Sequence, residues 1–142
     1  MTTVYSHKTA PAHPIHAMLA AFPLAFFTAA LVTDIIYVNS PQPQWSNFSI
    51  WLITFGLIIG AAAAIAGIVD ALVHRGRPRR RSWQHSMGTL LMLGLAFINA
   101  FVHSRDGWTA IMPTGLILSA IVAVLALVTS WIGYSITGNR EA

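Results

Sequence analysis

The side chains whose types and spacing could do chemistry in this chain are His13, His16, Asp70, His74 and His85. His13 and His16 stand three residues apart, Asp70 and His74 four, so on helices each pair occupies one face, a turn apart. Neutral imidazoles can ligate haem iron, and a b-type haem needs one or two of them, with small residues nearby to admit the porphyrin. His13 or His16 opposite His85 would supply the ligands, and Gly67 and Gly88 the room. The same imidazoles, His13 and His85 foremost, could hold a non-haem metal with the help of His16, Asp70 and His74. No recognised metal motif accompanies them, and this reading ranks below haem. A third arrangement needs no cofactor: Asp70 accepts hydrogen bonds from His85 and His74 and holds the helices in register. It ranks just ahead of haem, because histidines near helix ends are commonly interfacial.

A second group, Asp34, Asn99, His103 and Arg105, reads as structural polar residues, with Asp34 paired to Arg105 or His103. Hydrolytic chemistry is not expected from the residue types. The only glutamate is Glu141, and Ser86 merely adjoins His85 in sequence, which gives no triad geometry. No activity as an enzyme on its own is read from the chain.

The elements that must position these groups follow from composition. Of 142 residues, 56% are hydrophobic and 8% charged, against roughly 25% charged in soluble domains. A hydrocarbon core about 30 Å thick needs roughly 20 helical residues to cross it. Four stretches free of charge and histidine appear, at 17–33, 48–69, 86–102 and 107–139. The expectation is an all-α membrane protein, a bundle of four transmembrane helices spanning about 14–38, 48–74, 83–103 and 109–135. These form one membrane domain over 13–137, flanked by tails at 1–12 and 138–142. The N-terminal segment is read as a tail and not a cleaved signal, because the apolar run after it is long and carries an organised polar stripe. With no cysteine, disulfides, cysteine-ligated clusters and covalent haem attachment are excluded.

Positive charge orients the bundle. Lys8, Arg75, Arg77, Arg79, Arg80, Arg81 and Arg140 would share one side of the membrane and Arg105 alone the other. That asymmetry predicts both termini and the 75–81 hairpin inside (N-in/C-in), with 39–47 and 104–107 outside, in a bacterial inner membrane. The basic hairpin suits acidic lipid headgroups, and no nucleic-acid partner is implied. Tyr37, Trp45, Trp51 and Trp108 would mark the outer boundary, and Trp83, Trp131 and Tyr134 the inner one. Pro23 lies inside the first span, where a proline kinks a helix.

Helical spacing gathers the remaining polar and small residues into stripes. The first span offers His13, His16, Ala20, Pro23, Phe27, Ala30 and Asp34; the second Gly56, Gly60, Ala63, Gly67, Asp70 and His74. The third offers His85, Gly88, Met92, Leu95, Asn99 and His103, and the fourth Gly115, Ser119, Val122, Ala126, Thr129 and Gly133. Lipid cannot satisfy polar groups, so each stripe should face inward, its small residues letting helices approach. At a rise of about 1.5 Å per residue, Asp34 lies roughly 30 Å from His13, which separates two polar layers. The Gly56-x-x-x-Gly60 pair serves internal packing or a homo-oligomer equally well.

Several of these residues carry a family pattern: His13-Pro14, Phe22-Pro23 and Asp34, then Gly67-x-x-Asp70, His85 and Asn99. In that order they resemble the bacterial predicted-membrane-protein family called domain of unknown function 2231, from about His13 to the fourth span. The resemblance implies a link to electron transfer, since relatives include forms joined to a Rieske-type iron–sulfur domain and forms that accompany periplasmic quinoprotein dehydrogenases. It also makes His13 the preferred ligand opposite His85, because the His-Pro step belongs to the pattern. Met18-Leu19-Ala20-Ala21 departs from it, standing where the family often has Val-His before Phe-Pro, and His16 is the residue that could compensate. The expected function is therefore a haem- or quinone-linked electron-transfer or anchor subunit beside a redox partner. The alternatives are a structural or assembly protein with a buried His/Asp cluster, and an oligomeric transporter of protons or small molecules.

Overall fold

The structure is a computed structural model that describes residues 14–73, 83–105 and 107–138. Four helices make up nearly all of it: α1 (Pro14–Asn39), α2 (Pro43–Val73), α3 (Trp83–His103) and α4 (Thr114–Gly138), with a short 3-10 turn at Gly107–Ala110 ahead of α4. Proline opens α1 and α2 at the position where its missing N–H is no loss and its fixed φ already suits a helix. Thus α2 starts earlier than the expected 48, and α4 later than 109 because residues 107–113 form the 3-10 turn and the turn that follows it. At the end of α1, Asn39 Nδ2 donates to the Ile35 carbonyl at 2.7 Å and the Ser40 N–H to Ile36 at 2.8 Å. Those bonds satisfy carbonyls that the helix end would otherwise orphan.

Each helix is long and apolar enough to cross a membrane. Even the shortest, α3 with 21 residues, reaches about 31 Å at the α-helical rise. The helices form a ring in which α1 lies between α2 and α4, and α3 closes the circuit between them. Hence α1 and α3 face each other diagonally. The α1/α2 pair packs most extensively and α2/α3 least.

Polarity is arranged inside out relative to a water-soluble fold. Large apolar side chains such as Ile58, Ile65, Leu90, Phe101 and Trp131 are exposed, while Asp34, Ser49, Asn99, His103, Ser119 and Thr129 are buried. Lipid solvates the former at no cost but offers the latter no partners, so polar groups gather at the axis. The inward residues follow the stripes: Phe27, Ala30 and Asp34 on α1; Gly56, Gly60 and Ala63 on α2; Met92, Asn99 and His103 on α3; Ser119, Val122, Ala126 and Thr129 on α4.

Glycines set the closest approaches. A Cβ on Gly56 would lie 2.5 Å from the Phe27 ring, and one on Gly60 would lie 2.7 Å from Leu93 and 3.3 Å from the Pro23 ring. The Gly56-x-x-x-Gly60 pair is therefore used within the chain, seating Phe27 and Pro23 of α1 and Leu93 of α3. α1 runs helical through Pro23, whose buried ring packs there. Midway along the axis Phe27, Met92, Ala96, Val122 and Ala126 form an apolar layer. A second apolar cluster of Tyr37, Ala110 and Ile111, backed by Trp45, closes the end that carries the 3-10 turn. Tyr37 is buried in this cluster near the end of α1, while Trp51, Trp83, Trp131 and Tyr134 are exposed.

Candidate functional site

Above and below the apolar layer, a histidine of α3 meets a residue of α1 across the bundle diagonal. At the end with the 3-10 turn the pair is His103 and Asp34; at the opposite end it is His85 and His16.

At the His85 end each ring is fixed by a backbone carbonyl of a neighbouring helix. His16 Nδ1 is 2.8 Å from the Ala63 oxygen, and His85 Nδ1 is 2.9 Å from the Thr129 oxygen. A carbonyl oxygen only accepts, so Nδ1 carries the proton in both rings and, in the neutral imidazole, Nε2 has the lone pair. The ring centres are 6.3 Å apart with perpendicular planes. That is an ordinary edge-on contact between neighbouring rings. The donor chemistry suits imidazole ligation, since each Nε2 keeps its lone pair while a carbonyl orients the ring.

The glycines act otherwise than the sequence suggested. Gly67 does not hold space open for a porphyrin: a Cβ there would lie 3.1 Å from His16 Nδ1, so the glycine is the socket of that ring. Gly133 seats His85 in the same way at 3.1 Å, and Gly88 is filled by the Thr129 methyl group. Thr129 itself turns its hydroxyl back to the Leu125 carbonyl at 2.7 Å, while its own carbonyl accepts from His85 Nδ1.

Asp70 is half-buried on α2 and engaged in an interaction, as is His85 beyond its carbonyl bond. His13, His74, Asp106 and the 75–81 hairpin lie outside the described residues, so among the described histidines it is His16 that faces His85. Among the described residues no three of His, Asp and Glu converge as a metal would need.

The Asp34 end is wholly buried. His103 Nε2 lies 3.0 and 3.2 Å from the two Asp34 carboxylate oxygens, both side chains fully shielded, and its Nδ1 is 3.0 Å from the Asn99 carbonyl. Of the two partners open to Asp34, the structure gives His103; Arg105 is exposed beyond it. Asn99 Nδ2 donates to Ser119 Oγ at 2.9 Å, while its Oδ1 is buried without a partner among the described residues.

Sequence reasoning missed one link here. Ser49 of α2 and Thr33 of α1 share a 2.7 Å hydrogen bond, with Thr33 donating to the Ala30 carbonyl at 2.9 Å. The signal was present, since Ser49 and Ile53 continue the Gly56 stripe at helical spacing and both are buried.

No curated protein and no solved structure matches the chain. A family model does, over residues 12–139, and its description is a predicted membrane protein, DUF2231. That match spans all four helices and both polar layers, and so the chain belongs to the DUF2231 family and is a multi-pass integral membrane protein.

Proposed function

We propose that the chain is an electron-transfer or anchor subunit of the bacterial cytoplasmic membrane whose His16 and His85 serve a b-type haem or meet a quinone. One observation carries this reading: two imidazoles 6.3 Å apart, with both Nδ1 atoms held by carbonyls. A haem bound there would supply one-electron redox chemistry. His16 and His85 would hold it through Nε2, and the Ala63 and Thr129 carbonyls would orient the rings and raise their basicity. The charge asymmetry supports placing these histidines at the cytoplasmic side and Asp34 at the outer side. A redox partner protein would exchange electrons at that face. The apolar layer of Phe27, Met92, Ala96, Val122 and Ala126 weighs against a proton or solute path along the axis.

A second reading is favoured by the filled glycine sockets: a non-enzymatic anchor or assembly protein in which His16 and His85 are helix-to-helix ties. An absorption spectrum separates the two. Protein expressed with ample haem and purified gently should show a Soret band, lost in His16→Ala and in His85→Ala and kept in His7→Ala. A colourless wild-type protein would overturn the haem proposal in favour of the ties.

A further inference from the structure

The electron-transfer reading makes no use of the most deeply buried ionisable groups among the described residues, Asp34 of α1 and His103 of α3. Their hydrogen bonds fix how many protons they hold. Nδ1 of His103 faces the Asn99 carbonyl at 3.0 Å, and a carbonyl cannot donate, so Nδ1 bears a proton. Nε2 faces both carboxylate oxygens at 3.0 and 3.2 Å. An unprotonated imidazole nitrogen and an ionised carboxylate are both acceptors, and two acceptors at that distance, shielded from water, repel. One proton must therefore lie between them, on the ring or on the carboxyl group.

Both placements leave the pair without net charge. Imidazolium with carboxylate, and imidazole with carboxylic acid, differ only by movement of that proton across a single hydrogen bond. Among the described residues the surroundings supply no other counter-charge at this level: Ser49 on α2, Asn99 on α3 and Ser119 on α4 are buried and uncharged. Tyr37 lies buried one turn further along α1, and Arg105 is exposed past the end of α3. Taking the shared proton away would leave a bare carboxylate facing a nitrogen lone pair in a site closed to water.

We infer that Asp34 and His103 form a proton-binding site, a diagonal dyad that holds one shared proton between α1 and α3. Both ring nitrogens are committed, one to a carbonyl and one to the carboxyl group, so the dyad stores a proton and does not act as a base toward a nucleophile. The apolar layer separates it from His16 and His85, so its proton belongs to the end with the 3-10 turn.

The test is nuclear magnetic resonance of the full chain in lipid nanodiscs with ring-15N-labelled histidine, joined to infrared spectra with 13C-labelled aspartate. The expected result for His103 is a proton on Nδ1, with the second proton found either on Nε2 or as a protonated Asp34 carboxyl band. Replacement Asp34→Asn should remove the shared-proton signal and leave Nδ1 protonated. A bare Nε2 together with an ionised Asp34, or a bare Nδ1, would overturn the inference. Should Asp34→Asn fail to fold, the wild-type spectra decide alone.

Discussion

The two ends of the bundle solve the same problem with different materials. Where Asp34 meets His103, side chain bonds to side chain from helix to helix: Asp34 with His103, Asn99 with Ser119, Thr33 with Ser49. Where His16 meets His85, each ring is held by a backbone carbonyl of a neighbouring helix, and glycines receive the rings. Side-chain partners specify each other, so loss of one leaves its mate stranded in a region closed to water. Backbone carbonyls are present whatever the sequence, and a ring in a glycine socket can shift by rotating. The Asp34 end is thus suited to fixing register, and the His16 end leaves its rings more room to adjust, as the proposed ligand role would require.

The largest effect should come from stranding Asp34. Removing one partner of a buried ion-paired or hydrogen-bonded charge costs about 3–5 kcal/mol, whereas replacing both by apolar residues of similar size is often near neutral. His103→Leu should lower detergent thermal stability sharply, and Asp34→Leu combined with His103→Leu should restore most of it. A double variant no more stable than His103→Leu would show that the dyad does more than neutralise itself.

How far this contrast could be foreseen depends on what one-dimensional spacing encodes. Charge-free runs of the right length revealed four helices, and the 3.6-residue repeat revealed their inward faces, because lipid imposes both along the chain itself. Asp34 and His103 were legible as neighbours because each lay on its stripe near the same end. What spacing does not encode is which of several small residues a ring will fill. Gly67 and Gly88 looked like room for a cofactor, yet a glycine on an inward face equally marks a spot already occupied by its neighbour, here His16 and Thr129. Spacing also does not encode that Ala110 and Ile111 of the loop before α4 fold over Tyr37, because the irregular path of that loop has no periodicity to read.

A middle-sized effect should separate the glycines by what they touch. At Gly115 an added Cβ would lie 2.5 Å from the Ala110 carbonyl oxygen and 3.0 Å from His103 Cε1. Backbone yields poorly, and overpacking of this kind costs about 1–3 kcal/mol. Gly115→Ala should destabilise accordingly and disturb the His103 ring signals, while Gly94→Ala, with nothing within 4 Å, should be neutral or gain up to about 1 kcal/mol of helix propensity. Equal melting temperatures for the two variants would mean that the 3-10 turn moves freely and the Asp34 end is less rigid than its bonds suggest.

The smallest effect on stability, and the sharpest on the comparison, should come from Gly67→Ala and Gly133→Ala. In both sockets the added carbon meets an imidazole at 3.1 Å, a contact that a ring relieves by giving a few tenths of an ångström. The expected cost is under about 1 kcal/mol, near the low end of what overpacking produces. The ring that gives must nevertheless pull on its Nδ1 bond, to Ala63 in one case and Thr129 in the other, and alter the 6.3 Å separation between His16 and His85. Ring-nitrogen resonances of His16 and His85, and any Soret band, should therefore shift in variants whose melting temperature hardly changes. If Gly67→Ala instead destabilises the protein as much as Gly115→Ala does, the His16 end is as tightly interlocked as the Asp34 end. The rings there would then be ties between helices and not adjustable ligands.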